Sequence, residues 1–240
     1  MEIIPAIDII DGKCVRLTQG DYAQKKIYNE NPLEIAKQFE DAGIQRLHLV
    51  DLDGAKEGRV VNYKILEKIA SQTKLVIDFG GGIKTDEEMK NVFDCGPEMA
   101  AIGSVAVKDK LLFRAWIEKY GGDKILLGAD VKNQNISING WTETTAISIF
   151  DFVEENIGYG IKTIFCTDIS RDGLLQGPAV SLYQKLLERF PKLNLIASGG
   201  VAEVNDLEKL SEMSCSGVIV GKAIYEGKIK LSALRKYTAC

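Results

Sequence analysis

The sequence predicts an α/β fold: a closed (β/α)8 or TIM barrel with a two-fold half-barrel repeat. Three observations lead there. Short apolar, β-branched runs recur eight times, as strands buried on both faces of a parallel sheet require. Amphipathic segments of helical length lie between them. Three short motifs also recur in the same order at nearly one spacing, about half the chain apart.

The expected strands cover residues 3–7, 47–52, 75–79, 99–102, 125–129, 163–166, 193–197 and 217–220. The expected helices cover 32–42, 61–70, 85–93, 110–120, 147–157, 178–190 and 205–211. In the first helix Leu33, Ala36 and Phe39 form an apolar stripe against charged positions. Thr85 with Glu88 three positions on has the form of a capping box, and Pro178 suits a first helical turn. Strand and helix alternating eight times read as a closed barrel. No Pro/Ser-rich stretch or long like-charge run interrupts the pattern, so residues 1–240 are expected to form a single domain.

The repeat relates Gly80-Gly81-Gly82 to Ser198-Gly199-Gly200, and Ile102-Gly103-Ser104 to Val220-Gly221-Lys222, both at an offset of 118 residues. A third pair, beginning at Asp51 and Asp168, is offset by 117. Gly-Gly is a common turn signal, so the argument rests on the spacing.

Composition excludes several classes of function. The 240 residues carry 30 basic and 34 acidic side chains, a formal net charge of −4, with 45% hydrophobic residues. This is ordinary globular composition. The mild negative charge argues against a nucleic-acid partner, no apolar run reaches the ~20 residues of a membrane span, and the start at Met1-Glu2-Ile3 lacks a signal peptide, so a cytoplasmic protein is expected, and a monomer. His48 is the single histidine, which rules out multi-histidine metal sites. Cys14, Cys95, Cys166, Cys215 and Cys240 form no C-x-x-C pair and are odd in number, so neither a disulfide framework nor a four-cysteine zinc site is expected, and no metal site. Cys166, ending a strand, is read mainly as a packed strand residue.

In a (β/α)8 barrel the loops after the strands carry function. Gly81, Gly82, Gly103 and Ser104 in the first half, and Gly199, Gly200, Gly221 and Lys222 in the second, follow expected strands. Glycine lets backbone N–H groups approach a phosphate, and a helix start beyond adds the positive end of its dipole. Two cradles on opposite sides of one mouth suit a small molecule with a phosphate at each end. Each pair could also be a plain tight turn.

With one histidine, acid–base chemistry falls mainly to carboxylates. Asp8 follows the first strand and Asp130 the fifth, which places them opposite one another across the mouth. Opposed carboxylates can act as one acid and one base, according to environment. Thr167, Asp51 and Ser198 could hydrogen-bond a substrate or brace a loop. His48, between Leu47 and Leu49, could reach the site or be a hydrogen-bonded core residue. Trp141, after a glycine on a polar loop, could cover the core or stack on a ligand ring. Arg16 could hold a phosphate bidentately or lie solvated.

The segments Ile4 to Asp8 and Asp11 to Leu17, followed by Gln19-Gly20-Asp21, resemble the start of the phosphoribosylformimino-5-aminoimidazole carboxamide ribotide isomerases of histidine biosynthesis. The resemblance continues through His48 to Ala55, Gly80 to Ile83, Gly140-Trp141, Asp168 to Gly173, Ser198 to Val201 and Gly221 to Gly227, across essentially the whole chain. It implies a cofactor-free Amadori rearrangement, an aminoaldose opened and converted to an aminoketose on a substrate phosphorylated at both ends. It further implies that Asp8 is the general base, Asp130 the general acid, Thr167 their support and Trp141 a stacking surface. Gly20, Asp168 and Gly173 fall within the matching motifs and are expected at the substrate. Lys84 and Lys222 stand where arginine is frequent in the family. The related readings are the cyclase subunit of imidazole glycerol phosphate synthase, whose start is usually Pro-Cys-Leu-Asp, an isomerase that also accepts phosphoribosylanthranilate, and a non-catalytic phosphosugar-binding barrel, which would have no need of two carboxylates beside an anion.

Overall fold

A computed structural model describes residues 1–237, apart from the side chain of Arg235. Its strands are β1 (Glu2–Ile10), β2 (Lys13–Thr18), β3 (Asp21–Asn29), β4 (Arg46–Asp51), β5 (Val76–Gly80), β6 (Met99–Ile102), β7 (Ile125–Lys132), β8 (Asn135–Ile138), β9 (Glu143–Ser148), β10 (Thr163–Asp168), β11 (Asn194–Ser198) and β12 (Gly217–Val220). Eight of them pair in parallel in the order β1, β4, β5, β6, β7, β10, β11, β12, and β12 returns to β1. The sheet is thus closed and has no edge in the ring. All eight ring strands lie where the apolar runs are.

Side-chain alternation along the strands divides the interior in two. Ile4, Ala6, Leu126, Ile196 and Ile219 point inward and fill the lumen, with Met99, Ala101 and Phe165 packed on them. Ile7, Leu47, Phe79, Ala100, Leu127, Cys166, Leu195 and Val218 point outward and join the helix faces in one larger core. Because each strand is buried on both sides, the runs are continuous rather than alternating.

The four antiparallel strands were not legible in the sequence. β2 and β3 form a hairpin on β1, and β8 and β9 form one on β7. Each half of the barrel therefore opens with a strand that carries a hairpin above the mouth. β3 is largely exposed and polar, so it lacks an apolar run.

Three expected helix starts shift by two residues, the one expected from 61 beginning at Tyr63. The segment expected to be helical from residue 147 continues β9 to Ser148, and the helix is Ile149–Gly158, capped where the Ser148 hydroxyl accepts from Asp151 N at 3.1 Å. The helix expected from Pro178 is Val180–Arg189, and Pro178 precedes it. The capping box forms as expected: Glu88 N donates to Thr85 Oγ1 and Thr85 N donates to Glu88 Oε2. Asp206 repeats half of it 118 residues on, where Glu203 N and Ala202 N donate to its Oδ2.

Among the described residues no helix is long and apolar enough to cross a membrane, and no group of three or more His, Cys, Asp or Glu is placed to hold a metal ion. Cys14, Cys166 and Cys215 are buried free thiols and Cys95 is half-buried, while Cys240 lies outside the described residues. Burial pushes the Cys14 and Cys215 thiols up to about 11, so they act as small apolar side chains.

Candidate active site at the barrel mouth

Alternation continues above the lumen and delivers one layer of inward residues at the C-terminal strand ends. Asp8 follows Ile4 and Ala6 on β1, Asp130 follows Leu126 on β7, Thr167 follows Phe165 on β10, Ser198 follows Ile196 on β11, and Gly221 follows Ile219 on β12. β1 and β7 stand opposite one another in the ring, so Asp8 and Asp130 face each other across the mouth. Thr167 pairs in register with Asp130 and with Ser198.

Burial dominates both carboxyls and raises their pKa values. At Asp8 the rise is opposed by Arg16, whose Nη1 lies 2.9 Å from Asp8 Oδ2, and by His48. At Asp130 it is opposed by hydrogen bonding from the Trp141 and Thr167 side chains, and again by His48. The same desolvation thus acts on two acids with different partners, a guanidinium on one and neutral donors on the other.

A third carboxyl enters the mouth from the loop after β10. Burial raises Asp172 to about 6, with Arg16 and Lys222 lowering it and Asp8 and Asp130 raising it. It lines the cleft that Arg16 and Lys222 also line. Asp172 falls within the Asp168–Gly173 motif, where no role was expected of it. Its signal was the Asp-Gly pair, Asp172-Gly173, mirrored in the first half by Asp53-Gly54.

His48 points into the lumen below this layer, is 7% exposed, and pairs with Asp78. Trp141 sits in the β8–β9 turn, where Asn139, Gly140 and Trp141 all have positive φ. That turn swings the indole over the mouth until it meets the β2–β3 turn: a Cβ on Gly20 would lie 2.7 Å from Trp141 Cε3. Gly20 therefore serves the meeting of two hairpins, and no substrate contact is needed to explain it.

The Gly-Gly turns also have a packing reason. A Cβ on Gly81 would lie 2.1 Å from Asp51 O, one on Gly82 2.5 Å from the Arg59 backbone, and one on Gly200 2.3 Å from Gly177 O. Each pair lets the backbone of a neighbouring loop pass close by, while Gly199 stands next to Thr167. In the second half Arg16, Asp172, Ser198, Gly200, Gly221 and Lys222 line one cleft. The Arg16 guanidinium lies directly on Gly221, and Lys222 Nζ donates to Gly173 O at 2.7 Å and Thr18 Oγ1 at 3.3 Å. Gly173 itself packs on Leu17 and Thr18, which joins the loop after β10 to the first hairpin. In the first half a Cβ on Gly103 would make only ordinary contact, 3.7 Å from Gly128 O, and Ser104 Oγ accepts from Asn139 N at 2.9 Å. The last turn of each half thus holds the hairpin that opens the other half.

Two expected substrate contacts are corrected. Asp51 points outward with Leu47 and Leu49 and is 0% exposed. Its oxygens accept from Gly54 N, Val61 N, Asn62 N and Asn62 Nδ2, so it braces the loop after β4. Asp168 points outward with Ile164 and Cys166, and its Oδ1 accepts from Ser170 N and Ser170 Oγ. It faces a cavity of about 200 Å³ on the flank of the barrel, away from the lumen. Both residues occupy odd positions relative to the inward set, and the pleat turns them to the helix side. Cys166 is likewise buried on the outer side.

The chain matches the family described as "Histidine biosynthesis protein" over residues 2–230. It is 57% identical over 238 residues to the 1-(5-phosphoribosyl)-5-((5-phosphoribosylamino)methylideneamino) imidazole-4-carboxamide isomerase of Parabacteroides distasonis, covering 99% of this chain and 100% of the relative. It is 57% identical over 235 residues to the protein of the same name from Bacteroides thetaiotaomicron, covering 98% of each. It is 56% identical over 239 residues to that of Cytophaga hutchinsonii, covering 100% of each.

Proposed function

The chain belongs to the histidine biosynthesis protein family, and on that premise we propose how its barrel mouth carries out the isomerisation. The protein is an isomerase of histidine biosynthesis that converts an aminoaldose to an aminoketose by an Amadori rearrangement. Its substrate is a small phosphorylated molecule.

The reaction moves protons and leaves the oxidation level of the whole molecule unchanged. The furanose ring oxygen takes a proton as the ring opens to an imine, C2 of the open form loses one, and the resulting enol becomes a ketone as its hydroxyl proton leaves and C1 gains one. Carboxyls held at the substrate can supply each transfer. We assign the C2 proton to Asp8, because Arg16 beside it favours the ionised form a base needs. We assign the ring-opening proton to Asp130, because burial favours its protonated form and its hydrogen-bond partners, Trp141 and Thr167, are neutral. Asp172, at about 6, is partly protonated near neutrality and can pass a proton between them. Thr167 orients Asp130, and Trp141 offers an aromatic face to the imidazole carboxamide.

The two phosphates are assigned to the two turn sets. Gly199, Gly200, Gly221 and Lys222 would hold one with Arg16, and Gly81, Gly82, Gly103 and Ser104 the other, both through backbone N–H groups. This reconciles a net charge of −4 with a doubly phosphorylated ligand. One chain carries the whole mouth, so the working unit is read as a monomer in the cytoplasm.

The observation that carries the assignment is the placement of Asp8 and Asp130 on opposite strands of a closed ring, both inward. Asp8→Asn and Asp130→Asn are the test. Each should lower turnover by about 10²-fold or more with the fold retained, and wild-type turnover in either would overturn its role. Assay against phosphoribosylanthranilate separates a single-substrate from a dual isomerase.

A further inference from the structure

Among the described residues, one line of charged groups runs from the base of the barrel up through its otherwise apolar middle. Glu2, at the entry to β1, meets Arg46 Nη1 at 3.0 Å. Arg46 Nε lies 3.6 Å from Asp78 Oδ2, and Asp78 Oδ1 meets His48 Nδ1. Asp78 is 0% exposed. Arg46 Nε and Asp78 Oδ2 form no hydrogen bond, so this carboxylate is held by one ion-pair contact and by the imidazole. Apolar side chains fill comparable space without such a cost, and replacing buried charges with them is often neutral or stabilising. Ile4, Leu126, Ile196 and Ile219 are what the rest of this lumen uses. Stability alone therefore does not account for Arg46 and Asp78.

The line ends under the reacting groups. His48 is the topmost member: it pairs in register with Ala6 of β1, two residues below Asp8. Phe165 packs edge-on against its ring at 5.2 Å between centroids, and Gly128 makes room for that phenyl ring, since a Cβ there would lie 2.7 Å from Phe165 Cζ. The imidazole is thus held on one side by an aromatic ring and at Nδ1 by a carboxylate. A hydrogen bond at one ring nitrogen sets the proton at that nitrogen and the orientation of the other.

We infer that Asp78, supported by Arg46, is a positioning residue that holds the proton on His48 Nδ1 and presents the ring's other nitrogen to the substrate beneath Asp8 and Asp130. The catalytic consequence rests on the reading of the mouth as the isomerase site, whereas the ring's state can be read on the free protein. Because His48 is the sole histidine, one imidazole spin system reports it.

The test uses ¹⁵N-histidine-labelled full-length protein without substrate. A protonated Nδ1 with a downfield, slowly exchanging proton is expected, and its loss in Asp78→Asn. An unprotonated Nδ1 in the wild type, or an unchanged signal in the variant, overturns the inference whatever the protein catalyses. If the variant does not fold, the wild-type spectrum decides alone. The kinetic arm is a double-mutant cycle. Asp78→Asn should lower kcat about 10–100-fold, as loss of an orienting partner does, with KM changed less than about threefold. In a His48→Asn background it should add less than about twofold. Full additivity would mean that Asp78 does not act through His48 and would overturn its positioning role.

Discussion

Arg16 Nη1 lies 2.9 Å from Asp8 Oδ2, with the two side chains only 12% and 13% exposed. A base buried this deeply would hold its proton, and the guanidinium offsets part of that tendency. Arg16→Gln removes the offset, so the Asp8 pKa rises further and the acidic limb of the kcat/KM profile moves to higher pH. Activity should fall more at pH 6 than at pH 8. A pH–rate profile with an unmoved acidic limb would count against Asp8 as the base.

Asp172 carries a stability cost with a defined sign. Its carboxyl rises from 3.8 to about 6 on folding, so the folded state binds the proton more tightly than the unfolded state. The favourable contribution is complete below about 3.8 and is lost as pH rises through 6, leaving the charged form a net penalty at neutral pH. Asp172→Asn should therefore stabilise the protein at pH 8, by up to about 3 kcal/mol at 1.36 kcal/mol per unit, with the gain vanishing near pH 4. Thermal melts of both proteins across this range check it, and a variant less stable at pH 8 would refute it. The same substitution should lower turnover, a trade of activity for stability.

The meeting of the two hairpins depends on Gly20. Gly20→Ala adds a Cβ 2.7 Å from the Trp141 ring at a φ of +74°. Strain of about 1 kcal/mol follows from the backbone alone, and the indole must move off its seat. The expected outcome is a change in tryptophan emission and a raised KM. Trp116, the second tryptophan, is buried and donates to Asp86 Oδ1 at 2.7 Å, so it should be unaffected. Unchanged emission and KM would show that the contact is dispensable.

Asp51 and Asp168 occupy equivalent places in the repeat and should differ when replaced. Asp51→Ala strips the acceptor from the buried N–H groups of Gly54 and Asn62 and should cost about 3–5 kcal/mol. Asp168→Ala loses contacts to Ser170 alone on one oxygen and an ion pair at 3.8 Å, and should cost about 1 kcal/mol. Equal losses in denaturant titration would contradict the bracing role assigned to Asp51.

Much of this protein could be read from the one-dimensional pattern. Strands buried on both faces must be apolar throughout, so all eight ring strands stood out, and Thr85 with Glu88 announced its helix start. The 118-residue repeat placed Asp8 and Asp130 at the start of opposite halves, and hence across the mouth. What the pattern could not settle was direction. Asp51, Asp168, Thr167 and Asp8 all lie at or near the C-terminal ends of strands, and only the register of the pleat divides those that face the lumen from those that face the helices. The polar hairpins were hidden because β3 is stabilised by pairing with β2 rather than by an apolar face. Asp78 and Asp172 were hidden for a related reason. Each gains its character from burial beside residues distant in sequence, Arg46 and His48 for one, Arg16 and Asp8 for the other. Sequence alone determined the ring and its candidate acids, because burial on two faces leaves a local trace. Desolvation and charge pairing across the closed barrel leave none, and there the tertiary structure decided.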